Sequence, residues 1–402
     1  MFVYSINDVK QYPQDSPSNH GTFDWTHSQF YVSIPEGVSE TGTINFGLQD
    51  SSGIVYFSNL RIEHGAIFPS FDHPTNYRLK YSPNVSSKPP LRGVMSPSKY
   101  VPNDLTDLRS WNCNLIRWQI NGGNNETNFL KWLDSKIEDI DQALSENEAN
   151  HLGINFIIDL HSAPGGRDSR NDFRMFYEEE YAQTFFKSWE TLATHFKGRK
   201  GVWAYDLINE PVQSRPSLAG RDYLSIQFEA AKRIRQIDDS IPIIVESNSW
   251  DNPSTFSYLS PLPLENIIYE VHMYIPHSFT HQNVGTGKKW DQKNCRVYPG
   301  LIDGKNYNRD VLEDCLRPTI DFQMKFGARF FLGEFSAIRW AESAEFYIDD
   351  VISIAEKYGW DTYREWNGWS VEHVEDHQKV EKANETTKKK EALFKYFKKN
   401  TF

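Results

Sequence analysis

Gly201-Val-Trp-Ala-Tyr-Asp-Leu-Ile-Asn-Glu-Pro211 is the stretch on which the fold turns. It passes from β-forming apolar residues into Asn209, Glu210 and Pro211, which reads as a strand delivering an ionisable residue at its C-terminal end. The same build recurs along the chain. Asn114-Leu-Ile-Arg-Trp-Gln-Ile carries Arg117, and Ile154-Asn-Phe-Ile-Ile-Asp-Leu carries Asp159 and leads to His161. Ile241-Pro-Ile-Ile-Val-Glu-Ser holds Glu246 and leads to Asn248, and Asn266-Ile-Ile-Tyr-Glu-Val leads to His272 and Tyr274. Arg329-Phe-Phe-Leu-Gly leads to Glu334, and Thr362-Tyr-Arg-Glu-Trp ends in Trp366. With Gly93-Val-Met in front, that makes eight strand-like runs.

Between the runs lie segments with apolar residues three and four apart, such as Phe129, Leu130, Leu133, Ile137, Ile140 and Leu144, and a second from Tyr223 to Ile237. Alternation of this kind predicts a TIM-type (β/α)₈ barrel over residues 91–402. Spacing alone fits a doubly wound sheet as well. The polar strand ends decide for the barrel, because a barrel brings every C-terminal end to one ring and an open sheet does not.

Two carboxylates on that ring, Glu210 and Glu334, have the positions that glycoside hydrolysis needs. One gives a proton to the leaving oxygen while the other, ionised, attacks the anomeric carbon. Taken singly, either Glu reads more readily as a loop carboxylate capping the next helix. The pair, with Asn209 beside the first and Gly333 before the second, favours the chemistry.

The tract Asp206-Leu-Ile-Asn-Glu-Pro211 resembles the strand-four signature of glycoside hydrolase family 5, and Leu332-Gly-Glu-Phe335 resembles its strand-seven segment. The match extends to Arg117 in Asn-Leu-Ile-Arg-Trp, His161 in Asp-Leu-His-Ser, and His272 with Tyr274 in Val-His-Met-Tyr. The resemblance implies a retaining β-glycosidase with Glu210 as acid/base and Glu334 as nucleophile. It implies that Asn209 binds the sugar 2-hydroxyl, that Arg117 and Tyr274 hold Glu334 ionised, and that His161 and His272 bind sugar hydroxyls or tune Glu210. Trp366 would be the stacking floor, with Trp369 as its rival. Only Gly359-Trp-Asp-Thr-Tyr-Arg-Glu precedes Trp366, a shorter last strand than the family's. The expected activity is an endo-β-1,4-glucanase, with β-mannanase or exo-β-glucanase as alternatives. A sugar-binding protein without turnover is the non-enzymatic reading, and a transglycosylase is the nearest enzymatic rival.

Composition agrees with this. A formal net charge of −11 repels phosphate backbones and anionic lipid, so neither nucleic acid nor membrane is an expected partner. The Lys388–Lys390 cluster with Lys395, Lys398 and Lys399 reads as the solvated face of a last helix. Aromatics reach 14%, which suits sugar stacking as well as a large core. No cofactor and no metal are expected: HxH, HExxH and CxxC are missing, and Pro164-Gly-Gly-Arg167 has no GK[ST] after it. Cys113 reads as a buried thiol, while Cys295 and Cys315 pair only if the protein is exported.

Residues 1–67 cluster β-formers, as in Phe30-Tyr-Val-Ser-Ile, Gly42-Thr-Ile-Asn-Phe-Gly-Leu and Gly53-Ile-Val-Tyr-Phe, and read as a partial β-sandwich. Its aromatics Trp25, Phe30, Tyr31 and Tyr56 either bind carbohydrate or brace the barrel, the second being favoured. Residues 68–90, with Pro69, Pro74, Pro83, Pro89 and Pro90, read as a linker. The long excursion Ile275–Gly300 offers His277, His281 and Trp290 as further sugar contacts. No apolar run approaches a membrane span, and Met1-Phe-Val-Tyr-Ser shows no signal peptide. An extracellular or periplasmic monomer is expected because polymeric glycans lie outside cells.

Overall fold

A computed structural model describes residues 91–96, 100–124, 126–214, 222–257, 259, 261–283, 295–338, 341–364 and 388–402, and the backbone of three earlier strands. Eight parallel strands close into a barrel: β1 (Arg92–Met95), β2 (Leu115–Gln119), β3 (Asn155–Asp159), β4 (Val202–Asp206), β5 (Ile243–Val245), β6 (Ile267–Met273), β7 (Arg329–Phe335) and β8 (Asp361–Arg364). Each pairs with its neighbours in sequence, and β8 pairs with β1 to close the ring. The expected TIM-type architecture is therefore present. The earlier strands, Phe2–Ile6, Val9–Gln11 and Gly42–Phe46, form an antiparallel sheet. The runs at Phe30 and Gly53, and the aromatics Trp25, Phe30, Tyr31 and Tyr56, lie outside the described residues.

Helix formation follows the apolar spacing. In Phe129–Ala149 the buried residues Phe129, Leu133, Ile137, Ile140 and Leu144 make one stripe toward the strands, and the Asn128 side chain accepts from Lys131 N at 3.2 Å to cap the start. On the final helix, Lys388–Phe397, and just past it, Lys388, Lys395, Lys398 and Lys399 are solvent-exposed as expected, and two of the six lysines depart from that expectation. Lys389 and Lys390 are buried: Lys389 Nζ donates to Ala337 O at 3.3 Å, and Lys390 lies over the Trp111 ring. Their aliphatic stems pack while their charges find a carbonyl or a π-face.

The barrel interior is layered. Met95, Leu115, Ile157, Ala204, Ile244, Ile268 and Phe331 form a separate buried apolar cluster, to which seven strands contribute one residue each. Side chains alternate across a strand, so the residues two further on face inward as well. From β2 to β7 these are Arg117, Asp159, Asp206, Glu246, Glu270 and Gly333. One cation, four acids and a glycine thus sit on an apolar floor.

Glu334 reaches the site through an irregularity. Strict alternation from Phe331 would turn it outward. The β6–β7 register shifts instead between Leu332 and Glu334, so that Glu334 pairs with His272 directly after Leu332 pairs with Val271. Such a bulge re-aims a side chain. Gly333 is required there, since a Cβ at this position would lie 1.4 Å from Glu270 Oε1. Gly333→Ala is expected to destabilise the barrel by about 1–3 kcal/mol or more through overpacking, read as a lower urea midpoint.

Candidate active site

Arg117 has no exposed surface and organises everything around it. Its Nε donates to Asp206 Oδ2 at 2.5 Å, Nη1 reaches Asp159 Oδ2 at 3.1 Å and Glu334 Oε1 at 3.0 Å, and Nη2 reaches Glu246 Oε1 at 2.9 Å. Glu270 Oε1 is 3.7 Å from Nη2. The same two terminal nitrogens donate to Asn209 Oδ1 at 3.2 and 3.1 Å, which turns the Asn209 amide nitrogen away from the guanidinium. The alternative of a simple pair with Asp159 is thus one part of a larger cluster.

One guanidinium cannot neutralise five buried carboxylates, so their carboxyls are costly to ionise together. Burial holds the carboxyls of Asp206 and Glu246 well above the usual range; like charges nearby add to this, and the cations Arg117 and His272 oppose it. His272 is pulled in two directions: burial favours its neutral form, but Glu334, Glu246, Glu210 and Glu270 together raise its pKa well above the ordinary value.

The two candidate catalytic carboxylates have unlike surroundings. Glu334 is buried; besides Arg117 it accepts from Tyr274 OH at 3.1 Å on Oε2, with His272 Nδ1 at 3.7 Å. Glu210 has a side chain 24% exposed and one close partner among the described residues, His272 Nδ1, at 3.0 Å from Oε1. An oxygen of Glu210 and one of Glu334 lie within 4.8 Å of each other. Glu210 also carries a strained backbone, with φ at 51°. Its amide donates to Glu246 Oε2 at 2.6 Å, and its carbonyl accepts from Arg167 Nη2 at 2.7 Å. Arg167 comes from the glycine-rich loop after β3 and lies over Phe173. That loop braces the Glu210 turn.

His161 is on the same face, tied to Asp159 Oδ2 at 2.8 Å and covered by the Gln119 amide. Arg117, His161, Asn209, Glu210, His272, Tyr274 and Glu334 therefore converge. Trp366, Trp369 and Trp290 lie outside the described residues. His277 and His281 stack on each other with ring centroids 4.0 Å apart, and His281 sets its edge against Tyr274. Cys113 is buried, its thiol pushed up to about 12 by burial, and Cys295 and Cys315 are not joined to each other.

Sequence reasoning gave no role to Glu270, Arg167 or Trp250. Glu270 had a signal, a charge inside an apolar strand two residues before His272 and so on its face. Trp250 had none, because its position depends on three consecutive left-handed residues, Ser249, Trp250 and Asp251, with φ of 59°, 59° and 50°. That turn leaves Trp250 48% exposed, with its amide donating to Pro211 O at 3.3 Å, next to Glu210.

The sets Glu210–His272–Glu334 and Glu246–Glu270–His272 bring ligand-type atoms within 4.8 Å of one another. Arg117 Nη1 already lies against Glu334 of the first set, and Nη2 against Glu246 and Glu270 of the second.

The sequence matches the family profile Cellulase (glycosyl hydrolase family 5) over residues 89–373. It is 27% identical to Endoglucanase C of Acetivibrio thermocellus over 258 residues, 58% of this chain and 73% of that protein. It is 22% identical to Cellodextrinase A of Ruminococcus flavefaciens over 263 residues, 64% of this chain and 71% of that protein. The fold superposes on Thermotoga maritima Cel5A, solved in complex with cellobiose, with a TM-score of 0.58 at 21% identity, covering 75% of this chain and 97% of the other. No helix among the described residues is long and apolar enough to cross a membrane.

His272 binds its proton more tightly folded than unfolded. That contribution to stability is complete below about pH 6.5 and is lost as pH rises through the higher folded value. The raised carboxyls Asp206 and Glu246 act with the same sign. Urea unfolding is expected to give a lower free energy at pH 9 than at pH 6, with a smaller difference in His272→Gln.

Proposed function

Because the chain belongs to glycosyl hydrolase family 5, and is thereby a glycoside hydrolase acting on carbohydrate, we propose that it cuts β-1,4-glucan internally by double displacement, with Glu210 as acid/base and Glu334 as nucleophile. The observation that carries this reading is the approach of Glu210 and Glu334 oxygens to within 4.8 Å. Retaining glycosidases hold their carboxyls about 5–5.5 Å apart, whereas inverting ones need about 6.5–9.5 Å to admit a water between carboxylate and sugar.

The unequal surroundings support the division of roles. Glu334, donated to by Arg117 and Tyr274, is held as an oriented anion. It attacks the anomeric carbon as the bond to the leaving oxygen breaks, and that oxygen takes the Glu210 proton. Water then attacks the same carbon, Glu210 removes a proton from it, and Glu334 leaves as carboxylate. Asn209, oriented by Arg117, is left with amide hydrogens for a sugar hydroxyl. His161 lies on the same face.

A β-glucan substrate is supported by the names of the curated relatives, an endoglucanase and a cellodextrinase. Trp250, exposed and tied by its amide to Pro211 beside Glu210, is an aromatic available for stacking on the sugar chain.

The test is reducing-sugar release from carboxymethylcellulose, barley β-glucan, xyloglucan, glucomannan, galactomannan and laminarin. Release is expected from the first two and to fall at least about 10³-fold in Glu334→Gln. The first product anomer, followed by NMR, is expected to be β. An α product would overturn retention, and release from galactomannan alone would make the enzyme a mannanase. Trp250→Ala is expected to raise KM on the polymer by about tenfold, the loss of roughly 1.4 kcal/mol of stacking, with kcat changed less.

A further inference from the structure

His272 stands between two carboxylates. Its Nδ1 is 3.0 Å from Glu210 Oε1 and its Nε2 is 3.0 Å from Glu270 Oε1. Glu270 has no exposed surface and is pressed against Gly333, whose missing side chain makes the room it occupies. Its Oε1 faces both cations of the cluster, with Arg117 Nη2 at 3.7 Å, while Oε2 meets no hydrogen-bond donor. With a carboxyl oxygen at each ring nitrogen, His272 can donate to both only as the imidazolium.

We propose that Glu270 is a positioning residue for the acid/base: by holding His272 as the imidazolium it commits Nδ1–H to Glu210 Oε1 and leaves Oε2 as the oxygen from which the catalytic proton departs. This rests on the assignment of Glu210 as acid/base and deepens it. When Glu210 gives up its proton, a new carboxylate appears 3.0 Å from a cation already aimed at it, and that charge-assisted bond strengthens as the charge develops. Burial alone would strip the ring of its proton. The groups facing it are Glu210, Glu246, Glu270, Glu334 and Asp251, with Arg117 as the opposing cation. Of these acids, Glu270 is the one that hydrogen-bonds the ring at the nitrogen away from the sugar. Glu270 takes no part in the bond changes and proton transfers of the cycle, whereas Glu210 and Glu334 do at each step.

The prediction separates substrates by leaving group. A polysaccharide expels a sugar alkoxide and needs the Glu210 proton; dinitrophenyl cellobioside expels a stable phenolate and does not. In Glu270→Gln, kcat/KM on barley β-glucan is expected to fall about 10- to 100-fold, with a far smaller loss on dinitrophenyl cellobioside. The His272 ring titration, followed by ¹⁵N NMR, is expected to move down by about 1 unit or more. Equal losses on both substrates, or an unmoved His272 titration, would overturn the proposal. Glu270→Asp draws the carboxylate back by one methylene and is expected to show the same split to a lesser degree. It carries the test if Glu270→Gln does not fold by circular dichroism, and equal losses there would overturn the proposal too. Glu210→Ala is the reference. If it lacks the leaving-group split, the acid/base assignment itself fails; if it shows the split and the folded Glu270 variants do not, only the role of Glu270 fails.

Discussion

A guanidinium sealed inside the barrel is the constraint from which the rest of this site follows. Arg117 touches carboxylates from β3, β4, β5, β6 and β7, so one side chain spans most of the ring. Burying a charge is costly unless it is paired and hydrogen-bonded, and here the planar fork of five N–H groups meets enough acceptors to be satisfied. The acids have the reverse problem, one guanidinium among many, and burial holds the carboxyls of Asp206 and Glu246 well above the usual range. The cluster stands directly on the apolar layer of Leu115, Ile157, Ala204, Ile244, Ile268 and Phe331. The close-packed floor limits how far its members can shift.

That rigid base makes two chemically identical side chains unequal. Glu334 is drawn inward by the register shift at Gly333 and fastened by Arg117 and Tyr274. Glu210 is partly open, on a backbone in the left-handed region whose carbonyl accepts from Arg167 and whose amide donates to Glu246. A buried carboxylate fixed by Arg117 and Tyr274, and a partly exposed carboxyl held by His272 at the edge of solvent, are the pair of environments that lets one residue type serve in two roles. Glycine at position 333 serves both arrangements: it permits the shift that turns Glu334 inward, and it vacates the space in which Glu270 reaches His272.

Much of this was legible in the residues. The eight apolar runs and their order appear in the structure with their bounds nearly intact, because strand and helix period are local properties. Arg117, Asn209, Glu210, His272, Tyr274 and Glu334 could be gathered from the sequence because each lies in or just past a strand, and a barrel turns that one-dimensional regularity into a common face. Of what escaped notice, Glu270 had a local mark, a charge within an apolar strand; Trp250 and Arg167 had none. The φ of three consecutive residues aims Trp250, and a carbonyl some forty residues along the chain gives Arg167 its purpose. The buried Lys389 and Lys390 read as solvent-facing for the same reason, since a lysine's surroundings are chosen by what packs over it.

The sequence by itself determined the strand and helix periods, the order of elements and which ionisable residues stand at strand ends. All of these depend on neighbours a few positions away. Tertiary structure alone decided how the charges are shared. Whether Glu246 is an anion or an acid, which nitrogen of His272 meets which carboxylate, and whether Glu334 faces in or out depend on distances of about 3 Å between residues far apart in the chain. Electrostatic energies at that range change steeply with both separation and burial, and folding sets both.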